Sequence, residues 1–129
     1  MYRFYIGALS VCKKNLDCDA FVANDGCTIR ELLHPEKDAV DLPYSLALAT
    51  VGIGKQSYQH KLEQTEIYHI LQGHGRMFIE KEDREVAAGD VIVIPKEALQ
   101  WIENIGNEPL VFVAIVSPPW TEEGDKKIV

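Results

Sequence analysis

The sequence predicts an all-β barrel in a single domain. Three observations carry this expectation. Short strand-like runs recur between turn residues from Ser45 onward. Polar and titratable side chains sit among apolar ones at strand spacing between Gly54 and Asn104, as in a small barrel that lines one end of its interior with ligands. The 129 residues are an ordinary length for one domain with a real core, and 47% apolar with 26% charged residues is an ordinary globular composition.

The N-terminal residues 1–24 are expected to form an arm that packs on the barrel or on a dimer partner. Tyr2, Phe4, Tyr5 and Ile6 give it an apolar face, and Lys13, Lys14, Asn15, Asp17 and Asp19 make a polar turn. This start is too short and poorly arranged for a secretory signal, and no apolar run is long enough to span a bilayer, so a cytoplasmic location is expected. The barrel is expected over 25–118 and a tail over 119–129. Residues 21–23 read as a short strand, and Asn24-Asp25-Gly26 as a turn, because Asn and Gly tolerate positive φ. Residues 27–33 return as a strand that His34-Pro35 ends, and 34–43 read as a loop.

Residues 45–51 have the Ala and Leu content of a short helix, but the Gly52-Ile53-Gly54 that follows favours a strand. Further strands are expected near 57–62, 65–71, 75–80, 84–87, 91–94, 98–104 and 110–116, with connections short enough to join antiparallel neighbours. The runs 91–94 and 111–116 are apolar on both faces, whereas a strand with one solvated face alternates. The N-terminal arm or a second copy of the chain is expected to cover the outer face. A homodimer with Trp101 at its interface is the expectation, and the tail is expected to be anchored by Trp120 with its last residues mobile.

A formal charge of −7 without a Lys/Arg cluster argues against a nucleic-acid surface. Cys12, Cys18 and Cys27 form no CxxC pair; reduced thiols are expected, and a zinc site from them matches no common spacing.

The central stretch resembles the cupin family. Gly54, His60, Leu62, Glu66 and Gly73 stand at the spacing of the first cupin motif; Gly89, Pro95, Glu97, Gln100 and Asn104 stand at that of the second. The lead-in 29–35 and the trailing 108–112 are also similar to small cupins. The resemblance implies a double-stranded β-helix, a jelly-roll-like barrel, often dimeric and commonly holding one divalent metal on two His and a Glu of motif one and a His of motif two. Carried over, the first His is His60 and the Glu is Glu66. Leu62 stands at the second His position, Gln100 at the last, and Glu97 at a motif glycine.

Strand alternation gives an independent grouping: Tyr58, His60 and Leu62 on one face, Glu66, Tyr68 and Ile70 on a second, Gln100, Ile102 and Asn104 on a third. The expected metal ligands are His60, Glu66 and Gln100. The expected substrate contacts are Tyr58, Tyr68 and Leu62, with Gln56 at the rim. His34, His69 and His74 are not placed to replace the missing imidazoles. One nitrogen and two oxygens suit Fe, Mn, Ni or Zn. The alternative is a polar triad without metal, with His60 donating to Glu66. The functional expectation is a small-molecule-binding metal cupin; dioxygenase and isomerase activities occur in similar proteins, and the sequence singles out neither and leaves open whether the chain is an enzyme. The alternative is a metal-free module that binds or senses a small ligand.

Overall fold

The structure, a computed structural model, describes residues 4–5, 11–24 and 26–128. Tyr2 and Ile6 of the expected arm lie outside the described residues. At the N-terminus β1 (Phe4–Tyr5) and β2 (Val11–Cys12) form a small antiparallel pair. A 3-10 turn at Asn15–Asp17 leads to β3 (Ala20–Val22), which pairs with β4 (Thr28–Leu33). The short strand expected at 21–23 thus belongs to the barrel rather than to an arm. The expected loop at 34–43 contains one helical turn, α1 (Pro35–Asp38). His34 caps it: its Nδ1 accepts from the Glu36 N–H at 3.2 Å, and Pro35 at the first position needs no donor partner.

The remaining strands are β5 (Ser45–Val51), β6 (His60–Leu62), β7 (Thr65–Gln72), β8 (His74–Ile79), β9 (Glu82–Ala87), β10 (Val91–Ile94), β11 (Gln100–Asn104), β12 (Leu110–Ser117) and β13 (Asp125–Lys127). They form two antiparallel sheets, in the orders β10-β7-β12-β5-β4-β3 and β13-β6-β11-β8-β9. From β5 onward the chain changes sheet at every step except the β8–β9 hairpin. The expectation that short connections join neighbouring strands therefore fails for most of the barrel. Alternating between sheets sets each strand's apolar face against the opposite sheet, so one core serves both. Ile70, Ile94 and Phe112 of the first sheet meet Met77, Val86 and Ile102 of the second.

The outer face of the first sheet is also apolar. β12 alternates buried Leu110, Phe112, Ala114 and Val116 with half-buried Val111, Val113 and Ile115. Registers with β7 and β10 place Ile67, Val91 and Val93 on the same outer face. Val91 is 62% exposed and Val93 60%, on an edge strand. Trp101 is elsewhere. It lies on the outer side of β11 in the second sheet, stacked on Phe78 with ring centroids 4.4 Å apart. Among the described residues no helix is long and apolar enough to cross a membrane.

The described part of the tail joins the barrel, against the expectation of mobile last residues; Val129 lies outside the described residues. β13 pairs with β6 at the edge of the second sheet. Two further backbone bonds, Glu63 N–H to Gly124 O at 2.9 Å and Ile128 N–H to Gln59 O at 2.7 Å, bracket this pairing. The strand therefore joins the wall beside His60.

Candidate functional site

His60 and Leu62 are the two buried positions of β6, separated by the half-buried Lys61. The tight turn at Glu63-Gln64 takes the chain to the opposite sheet, where Glu66 starts the inward face of β7. His60, Leu62 and Glu66 therefore come together from opposite sheets across the end of the barrel. They line a narrow cavity of about 60 Å³. β12 contributes Ala114 and Val116 as its apolar floor, and β3 and β4 contribute Phe21, Ile29 and Glu31. The tail closes the remaining side with Trp120 and Asp125.

The polar end of this cavity is organised around the imidazole. His60 Nδ1 lies 2.9 Å from Asp125 Oδ1, with both side chains almost fully buried. Trp120 Nε1–H donates to the other oxygen, Asp125 Oδ2, at 3.0 Å. Trp120 is pinned in turn: its N–H donates to Ser45 Oγ at 2.9 Å, and its carbonyl accepts from His34 Nε2 at 2.8 Å. Glu31 is held from outside the cavity by Lys37, whose Nζ is 2.7 Å from the carboxylate. The hydrogen bond that the Lys37 ammonium donates to the Glu31 carboxylate holds its pKa above the ordinary value.

The other expected site residues divide. Gln100 is registered opposite His60 on β11 and is buried, but its carboxamide is turned to Tyr68: the Tyr68 hydroxyl donates to Gln100 Oε1 at 3.2 Å. Gln100 Nε2 is buried without a hydrogen-bond partner among the described residues. Tyr68 packs on Phe112 inside the core, with ring centroids 4.2 Å apart. Neither Gln100 nor Tyr68 lines the cavity.

Tyr58 and Gln56 do not join the cluster. The regular strand begins only at His60. Before it, Ser57 Oγ accepts the Ile102 N–H at 2.9 Å, and the Ser57 N–H donates to Ile102 O at 2.9 Å. That clasp breaks the alternation, so Tyr58 does not inherit the face of His60. It is 43% exposed beneath Lys127, whose Nζ is 3.5 Å from the ring centroid. Gln56 is exposed in an isolated bridge with Glu103.

The residues that sequence reasoning missed are Asp125, Glu31 and Phe21. Asp125 gave no signal, because it sits in a charged run that reads as a solvated tail. Glu31 sits where β4 is irregular against β5, between Glu31 and Leu33. A wider open groove of about 630 Å³ lies between β9 and β10, and it contains none of the expected site residues.

Comparisons with known proteins agree with this architecture. Residues 47–116 match the Cupin_2 family, described as a cupin domain. An uncharacterised protein of Methanocaldococcus jannaschii is 42% identical over 104 residues, covering 80% of this chain and 82% of that one. The structure of a predicted oxalate decarboxylase from Thermotoga maritima superposes with a TM-score of 0.71 at 25% identity, covering 81% of this chain and 96% of that one. An oxalate decarboxylase of Lactobacillus farciminis, in its formate complex, superposes with a TM-score of 0.77 at 24% identity. That alignment covers 88% of this chain but only 34% of the enzyme, and at this identity it speaks for the fold alone.

Proposed function

The chain belongs to the cupin family, and from that premise we propose that its barrel binds a small molecule in the cavity bounded by His60, Glu66 and Asp125. The observation that carries this reading is the buried His60–Asp125 pair, which stands with Glu66 at the wall of a narrow, partly open cavity. A space of about 60 Å³ accommodates a few waters or a ligand of a handful of non-hydrogen atoms. The apolar floor and the few convergent polar groups are the usual composition of a small-molecule site.

Cupins commonly carry one divalent metal, which requires a convergent donor set. His60 and Glu66 supply two ligands at the cavity. Leu62 supplies none, and the oxygen of Gln100 is engaged by Tyr68. Among the described residues no group of three or more His, Cys, Asp or Glu side chains is placed to hold an ion. This set does not fit a resident metal held by three or four protein ligands. The reading is of metal-independent binding.

Elemental analysis of protein purified without chelator tests it. Metal well below one equivalent per chain is expected, with no change in His60→Ala or Glu66→Ala. A stoichiometric metal lost in both variants overturns this reading. Binding itself is tested by thermal-shift screening of small polar molecules. Hits should disappear in Glu66→Gln, and a screen with no hit that depends on Glu66 counts against the cavity as the site.

A second copy of the chain is the proposed cover for the apolar outer face of β10, β7 and β12. The exposed Val91 and Val93 support this, because an extended edge strand of bare valines invites pairing. Light scattering after size exclusion is expected to give the mass of a dimer. Val93→Glu is expected to give a monomer, since it would bury a carboxylate without a partner. A wild-type monomer would remove the proposal.

A further inference from the structure

We infer that Asp125, carried in by the C-terminal strand, is a positioning residue that fixes the tautomer of His60 and thereby sets which ligands the cavity takes. The inference rests on the reading of the cavity as a binding site only for its ligand class.

An ionised carboxylate only accepts hydrogen bonds. His60 Nδ1, 2.9 Å from Asp125 Oδ1, must therefore carry the proton. In the neutral ring the lone pair then sits on Nε2. Indole N–H is a donor only, so Trp120 occupies Oδ2 at 3.0 Å and leaves Oδ1 for the imidazole. The carboxylate is clamped on both oxygens, and the clamp is anchored by β13 pairing Asp125 with Leu62.

Both Trp120 and Asp125 lie beyond residues 47–116, the part that matches the family. This chain's own tail thus converts the motif imidazole into a fixed acceptor. The side chains of Glu31, Glu66 and Asp125 line the same cavity, and among the described residues no Lys or Arg side chain does. The ligand class that fits is a small neutral or cationic molecule that donates an N–H or O–H to His60 Nε2. With the His60 ring neutral, a carboxylate would find no cation among the described lining residues.

Long-range proton–nitrogen NMR of the full chain, without ligand and at a pH where the ring is neutral, reads the tautomer directly. In wild type, His60 Nδ1 is expected to be the protonated nitrogen and Nε2 the pyridine-like one. In Asp125→Asn, Trp120 should keep the amide oxygen and turn the amide NH2 towards Nδ1. The proton should then move to Nε2, reversing the pattern. Adding Trp120→Phe frees the amide to rotate and should restore Nδ1–H in part. A wild-type Nε2–H tautomer, or an Asp125→Asn protein with an unchanged pattern, overturns the positioning role. The wild-type measurement keeps the test available if the variants fail to fold.

The ligand class is read with acetamide and acetate, matched in size. Acetamide should perturb the His60 Nε2 resonance and acetate should not. Equal or stronger binding of acetate overturns the ligand class alone. Silence from both probes overturns the ligand class together with the binding reading, and leaves the tautomer result standing.

Discussion

Phe112→Ala is expected to lower the stability of the barrel by about 3–5 kcal/mol. Phe112 is 1% exposed at the middle of β12, registered against Ala49 on β5 and Ile70 on β7. The strands on both sides are fixed by their ladders, so the walls cannot close on the space the ring leaves. A domain of this kind has a total stability on the order of 5–15 kcal/mol, so the loss is a large share of it. The same substitution removes the ring on which Tyr68 packs, and Tyr68 holds the carboxamide of Gln100 beside His60. Urea unfolding measures the effect. A change under about 1.5 kcal/mol, the scale of a tolerated repacking, would mean that the core does not close around this residue.

The parts of the fold that were legible in the sequence are those set by local chemistry. Gly73 is an example. Its φ is +94°, and a Cβ there would stand 2.9 Å from the Pro109 carbonyl oxygen, so the motif glycine answers to a real close approach. Gly89, at φ +98°, marks the turn into β10 for the same conformational reason. Glu97, at the position where the motif resemblance expects glycine, adopts φ +66°, a conformation that favours glycine. The inward placement of His60, Leu62 and Glu66 followed from alternation along β6 and β7.

Alternation fails where the ladder stops. Tyr58 is two residues from His60, yet just before it the Ser57 side chain takes a β11 backbone donor, and the periodicity is lost. Sheet order was illegible for a different reason. A two-residue turn such as Glu63-Gln64 is compatible with a hairpin or with a crossing between sheets, and only the shared core decides. Asp125 lay furthest out of reach. Its strand forms by pairing with an edge that exists only once the barrel has folded, and nothing in the local sequence marks it. The candidate site is thus half motif and half tail, and only the motif half could be read in advance.

That division makes the motif positions held by Leu62 and Gln100 open to test, and Leu62→His with Gln100→His is expected to create a metal site. His60 and Leu62 share the inner face of β6, and Gln100 is registered directly opposite His60 on β11. Side chains so paired have Cβ atoms about 4.5–5.5 Å apart, within reach of one ion. Two added imidazoles would join His60 and Glu66 in a donor set that suits first-row divalent metals. His60 is already oriented for this, because a carboxylate on Nδ1 is the usual outer partner of a metal-bound imidazole. The metal-free double variant should be less stable than wild type. It buries an imidazole in place of Leu62 and removes the hydrogen bond from the Tyr68 hydroxyl to Gln100, a bond worth about 0.5–1.5 kcal/mol. Zinc or nickel should then raise its melting temperature while leaving wild type unchanged, and calorimetry should show binding at least about 100-fold tighter, equivalent to roughly 2.7 kcal/mol. Gln100→His alone should give a smaller gain of the same sign. If neither variant gains affinity, the side chains at positions 60, 62, 66 and 100 do not converge on one point, and the departure of this chain from the metal-binding pattern lies in its backbone rather than in its ligands.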